Sequence, residues 1–219
     1  MKILFVNNTK IAIEESGSGD HKVAVLFIAG MSGGVFTDRF NKLKEAILNK
    51  GYTYVPIEIW QNGKDIGTLT LRNIFSAIDD AISELQKHGY NDFYAIGKSF
   101  GGGMLLARNH PLIKKLVLWA PAIGMGEKTT MPDLYDLPLD KIKSISNIVL
   151  SYDDLATIKA SVTILQGDKD TAVPKSTSEK LSNLIPNTHF EIIQDMEHSP
   201  KNEIQENMLV NKTIIALER

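Results

Sequence analysis

Apolar residues follow two alternating patterns along most of this chain: short unbroken runs, and longer stretches where they recur every three or four positions. Continuous runs mark strands covered on both faces, and they predict strands at residues 23–28 and 115–120. Further strands are predicted at 53–59, in the stretch that begins at Asp92, and at 161–166 and 189–193. Two short strands at 2–6 and 10–15 flank Asn7-Asn8, a hairpin signal. Between the strands, Phe36, Phe40, Leu43, Ile47 and Leu48 fall at helical spacing, as do Ile74, Ile78, Ile82 and Leu85 within 71–88, where Gly89 supplies the stop. Helices are also predicted after Ser99, at 175–184 and at about 203–217. Strands alternating with helices imply an α/β fold: a mostly parallel sheet of about eight strands, antiparallel only at its N-terminal hairpin, with helices on both faces. The rhythm breaks at residues 123–160, where Pro132 and Pro138 interrupt scattered apolar positions, and a short helical insertion is expected there.

The 219 residues are enough for one substantial core, and no repeat, low-complexity tract or linker divides them, so residues 1–219 are read as one domain. A hydrophobic content of 43%, a charged content of 23% and a formal net charge of -2 describe an ordinary globular chain without a nucleic-acid surface. There is no cysteine, hence no disulfide, thiolate nucleophile or cysteine-ligated metal, and any nucleophile must be an oxygen. No stretch approaches the ~18 apolar residues of a membrane span. A cytoplasmic protein without a cofactor is expected.

The chemistry is concentrated at residues 92–103, Asp-Phe-Tyr-Ala-Ile-Gly-Lys-Ser-Phe-Gly-Gly-Gly. A strand, a sharp turn and a helix follow one another there, with Ser99 at the apex, and Gly97, Ser99 and Gly101 fit the nucleophile elbow G-x-S-x-G. Gly97-Lys98-Ser99 also ends the phosphate-binding pattern G-x-x-x-x-G-K-[ST]. That pattern needs a glycine where Asp92 stands, and the intervening Phe93, Tyr94, Ala95 and Ile96 read as strand rather than open loop. A Gly/Ser turn that merely joins strand to helix is the other alternative.

A serine nucleophile needs a base, usually a histidine oriented by a carboxylate. Of five histidines, His88 and His110 close helices, His21 lies in an N-terminal loop, and His189 begins a strand. Only His198 lies just beyond the carboxyl end of the last strand, the sheet edge where ligands bind in open parallel sheets. His198 is therefore the candidate base. Asp168 and Asp170 are both candidates for the carboxylate, at the end of the strand at 161–166.

From the elbow, this acid loop and the order of the three residues, the sequence resembles the α/β-hydrolase superfamily over nearly its whole length, least over 123–160. That family's acid loop typically reads G-x-x-D-x-x-V-P. Gly167 and Val173-Pro174 then place the acid on Asp170 and leave Asp168 as a loop-capping neighbour. The order Ser99, Asp170, His198 is the order expected of such a fold. The resemblance also implies oxyanion donors at the backbone amides of Phe100 and Met31. The family often has His-Gly before the latter, and here the residues are Ala29-Gly30. Lys98, beside Ser99, is placed to attract an anionic substrate, but it is read as a solvated or structurally paired lysine.

The implied activity is that of a serine hydrolase acting on a small-molecule acyl substrate, a carboxylic ester or thioester, with 123–160 as a short cap. No H-E-x-x-H or comparable metal cluster occurs. The alternatives are a non-catalytic small-molecule binder of the same fold and a nucleotide-binding protein using Gly97-Lys98-Ser99.

Overall fold

The computed structural model describes residues 1–7, 9–16 and 23–219; Asn8 of the expected hairpin turn and His21 lie outside them. The elements follow one another as β1 (Lys2–Val6), β2 (Thr9–Ile13), β3 (Val23–Ile28), α1 (Asn41–Asn49), β4 (Thr53–Glu58), α2 (Leu71–Lys87), β5 (Asp92–Lys98), α3 (Phe100–Arg108) and β6 (Ile113–Trp119). Then come β7 (Gly124–Gly126), α4 (Met131–Leu134), β8 (Val149–Ser151), α5 (Tyr152–Ala156), β9 (Ser161–Gly167), α6 (Lys175–Leu184), β10 (Thr188–Ile193) and α7 (Glu203–Glu218). Eight strands form one sheet in the order β1-β2-β4-β3-β5-β6-β9-β10. β2 pairs antiparallel with β1 and with β4, and every pair from β4 onward is parallel.

Successive strand residues point to opposite faces, so each continuous apolar run supplies two cores at once. Val25, Phe27, Ile96, Val117 and Leu165 pack on one face against Leu43 and Ile47 of α1 and Leu209, Val210 and Leu217 of α7. Leu26, Ile28, Ala95, Leu116 and Ile164 pack on the other against Ile74, Ile78 and Ile82 of α2, Met104 and Leu105 of α3, and Leu181 of α6. Helix α2 starts where predicted, at a capping box between Thr70 and Asn73, and it stops before Gly89 at φ 84°.

Residues 123–160 are not simply helical. β7 and β8 form a separate two-stranded parallel ribbon, and α4 and α5 span only 4 and 5 residues. Gly124-Met125-Gly126 offers no apolar run from which a strand could be read. Met125, Met131, Leu134, Tyr135 and Ile145 of this segment pack against the α2–α3 side of the core.

Candidate active site

Strand β5 ends at Lys98 and α3 begins at Phe100, so Ser99 alone makes the turn. Its φ of 51° and ψ of -121° lie where a side chain is disfavoured, a local strain of roughly 1–3 kcal/mol. Three backbone hydrogen bonds hold it there. Ser99 N donates to Trp119 O at 2.8 Å, and Ser99 O accepts from the amides of Gly103 and Ala122 at 3.0 and 2.9 Å. The flanking glycines are required by close approach. A Cβ on Gly97 would lie 2.6 Å from Gly102 Cα, and one on Gly101 would lie 2.3 Å from Ala29 O. Residues 92–98 are paired to β3 and β6, so they form no open loop around a phosphate.

Asp170 follows β9, and its side chain is fully buried. Oδ1 accepts from the amides of Ala172 and Val173, both at 2.9 Å. Oδ2 accepts from Gln166 Nε2 at 3.0 Å and lies 2.8 Å from His198 Nδ1. With a carboxylate as acceptor, Nδ1 is the donor, and Nε2 is left to accept a proton. The loop-capping role expected of Asp168 belongs to Asp170 itself, whose Oδ1 faces the amides two and three residues on. Asp168 Oδ1 is buried without a hydrogen-bond partner among the described residues.

Gln166 is a positioning residue that the sequence did not single out. It is wholly buried, accepts from Ser178 Oγ at 2.7 Å and donates to both Asp170 and Val173 O. A glutamine near a strand end looks like ordinary surface. Only its inward phase, between Leu165 and Gly167 in a buried run, could have marked it.

His198 lies in the loop between β10 and α7, its side chain 28% exposed. Lys169 N donates to Met196 O at 3.0 Å, and Gln205 Nε2 donates to Asp195 O at 2.9 Å, which fixes the loop's path. Lys98 and Trp119 are in register, as are Trp119 with Leu165 and Gly167 with Ile193, so Ser99, Asp170 and His198 all leave the same sheet edge. The structure joins Asp170 to His198. It does not join His198 to Ser99, whose Oγ makes no hydrogen bond among the described residues.

Phe100 opens α3, where first-turn amides have no acceptor within the helix. Met31 is exposed in the loop after β3. That loop runs against Ser99, since a Cβ on Gly30 would lie 3.2 Å from Ser99 Cβ. Trp60 Nε1 and Gly33 N both donate to Gly30 O at 2.9 Å, and the Trp60 indole packs beside the Phe100 ring. Trp60 thus braces the loop that lacks a histidine. It stands thirty residues away in sequence, and no local pattern announces the contact.

The remaining titratable candidates are structural. Asp79 forms a two-pronged ion pair with Arg108 at 2.6 and 3.0 Å that ties α2 to α3, with His110 at 3.9 Å. Asp154 caps α5 through Ser151, and His88 caps α2. No group of three or more His, Cys, Asp or Glu among the described residues is placed to hold a metal ion. No described helix is long and apolar enough to cross a membrane.

Lys98 is not solvated. Only 7% of it is exposed, and its Nζ donates to Ser199 Oγ. Burial, with the Arg39 charge adding to it, lowers its pKa to about 8, against the opposing pull of Asp170. The unfolded chain therefore binds more protons than the folded one between about pH 8 and the ordinary lysine value, ~10.4, and stability rises with pH across that window. Lys98→Met should stabilise the fold at pH 7 by up to roughly 3 kcal/mol in urea unfolding, a gain that shrinks above pH 8.

The chain matches no protein-family model, and no curated protein matches it significantly. Its similarity is to solved structures. The ferulic acid complex of Est1E from Butyrivibrio proteoclasticus superposes with a TM-score of 0.77 at 18% identity, covering 100% of both chains. A serine hydrolase from the polyaromatic-hydrocarbon-degrading bacterium Cycloclasticus zankles gives 0.75 at 18%, over 99% of this chain and 97% of that one. A monoacylglycerol lipase from Paleococcus ferrophilus gives 0.70 at 15%, over 99% and 100%. With eight strands in this order, helices on both faces and these neighbours, the chain has the α/β-hydrolase fold.

Proposed function

We propose that this protein is a serine hydrolase that cleaves a carboxylic ester or thioester through an acyl-enzyme. The observation that carries the proposal is the contact of the buried Asp170 carboxylate with the half-buried His198 at 2.8 Å, set at the same sheet edge as a strained, half-buried Ser99. Ser99 Oγ attacks the acyl carbon while His198 Nε2 takes the hydroxyl proton. The tetrahedral oxyanion is held by the Phe100 and Met31 amides, each donor worth about 2.7–4 kcal/mol. His198 then returns the proton to the departing alkoxide or thiolate. A water molecule, deprotonated in turn by His198, attacks the acyl-enzyme; the bond from the acyl carbon to Ser99 Oγ breaks, His198 returns the proton to Oγ, and the acid is released. Asp170 fixes the imidazole's tautomer throughout.

Similar structures include proteins described as a serine hydrolase and a lipase, which supports this reaction class. Residues 123–160 serve as a short cap in this scheme. Their apolar side chains are accounted for by packing on the core, so substrate chain length is a matter for an ester panel. The cysteine-free composition accords with a cytoplasmic setting.

The test is rapid acid quenching with p-nitrophenyl pivalate, whose acyl group is slow to leave. A burst of nitrophenol equal to the enzyme, with the pivaloyl mass on the peptide containing Ser99, is expected. Absence of both burst and adduct on folded protein would favour a non-catalytic small-molecule binder, a reading prompted by the missing Ser99–His198 hydrogen bond.

A further inference from the structure

A cavity of about 360 Å³ opens between α1, α7 and the loop that carries His198. Ser99 does not line it, but Lys98 does, because successive side chains on β5 face opposite ways. Position 97 faces α3, and Lys98 therefore faces α1 and α7. The walls are largely apolar, formed by Phe40, Leu43, Trp119, Leu165, Leu209 and Val210. The volume is that of a small-molecule pocket.

The lining carries three cations, Arg39, Lys98 and Lys201, and three carboxylates, Glu197, Glu203 and Glu206, but they are not all paired with one another. Lys42 holds Glu203 at 2.8 Å and Glu206 at 3.5 Å, and Lys201 holds Glu197 at 2.5 Å. Arg39 at the mouth and Lys98 inside remain, and neither is within ion-pair distance of a carboxylate among the described residues. Both instead donate to one neutral atom, Ser199 Oγ, the Arg39 Nη2 contact being 3.1 Å. Asp170, the carboxylate that Lys98 senses, is already engaged by four donors. A buried cation is ordinarily matched by an anion, because a hydroxyl dipole recovers only part of the lost hydration.

We propose that this cavity binds an amphiphilic carboxylate, its headgroup between Arg39 and Lys98 and its apolar body along Trp119 and Leu165. The guanidinium fork suits the two carboxylate oxygens, and the ammonium adds a point charge from within. The ligand takes both cations from Ser199, the residue next to His198. His198 also lines the cavity, so the site adjoins the proposed catalytic residues on the side that Lys98 faces, while Ser99 itself is not in its wall and the binding does not depend on hydrolysis.

Isothermal titration with octanoate tests it, using octanol as the uncharged counterpart and acetate as the headgroup alone. Octanoate should bind the wild type and Ser99→Ala equally, and octanol and acetate should bind far more weakly. Lys98→Met and Arg39→Gln should each raise the octanoate Kd about tenfold or more. Far-UV circular dichroism of each variant confirms that it is folded. Octanoate that binds Lys98→Met and Arg39→Gln as tightly as the wild type, or is excluded by a fluorophosphonate adduct on Ser99, would overturn the site, as would no binding at all.

Discussion

Ser99→Ala is expected to lower kcat for an activated ester by about five to six orders of magnitude while leaving the fold intact. The loss is large because no other oxygen stands at the apex of the elbow to attack the acyl carbon. Stability should hardly change. Ser99 Oγ makes no hydrogen bond among the described residues, and alanine meets the same cost as serine at φ 51°. Progress curves with p-nitrophenyl acetate and urea midpoints measure both quantities. A fall of less than tenfold in kcat would remove Ser99 from the chemistry.

Asp170→Asn should lower kcat by about four orders of magnitude and should also cost stability. The carboxylate meets four N–H donors, two on each oxygen. An asparagine has one acceptor oxygen, so in either orientation its NH₂ group faces two donors. Leaving those groups unmatched in a fully buried site costs roughly 2 kcal/mol or more. The altered partner also favours the wrong imidazole tautomer, with the proton on Nε2. Activity per folded molecule, from kcat corrected by the urea-derived folded fraction, separates the two effects. Loss of stability with unchanged activity would leave Asp170 as a loop brace only.

The fold was legible because a parallel sheet covered on both faces leaves unbroken apolar runs, and β3 was predicted with the bounds it has, Val23–Ile28. The contact between Asp170 and His198 was legible because the Asp170 turn and the histidine after the last strand are both local in sequence. What was not legible depends on long-range contact. Trp60 reaches Gly30, Gln166 reaches Asp170 from inside a strand, and β7 pairs with β8 across more than twenty residues. Of the two readings of Lys98, solvated or structurally paired, the first fails because the last residue of β5 points into the α1–α7 layer rather than to water. Asp168 and Asp170, two residues apart, were separable by resemblance alone. Their burial and partners now separate them physically.

The most direct measurement is intact-mass analysis after incubation with a fluorophosphonate probe, on the wild type and on Ser99→Ala. An activated serine with amide donors in place should give one adduct on the wild type and none on the variant. Folded wild-type protein that stays unlabelled, or a variant that labels equally, would contradict a nucleophilic Ser99 served by His198 and Asp170.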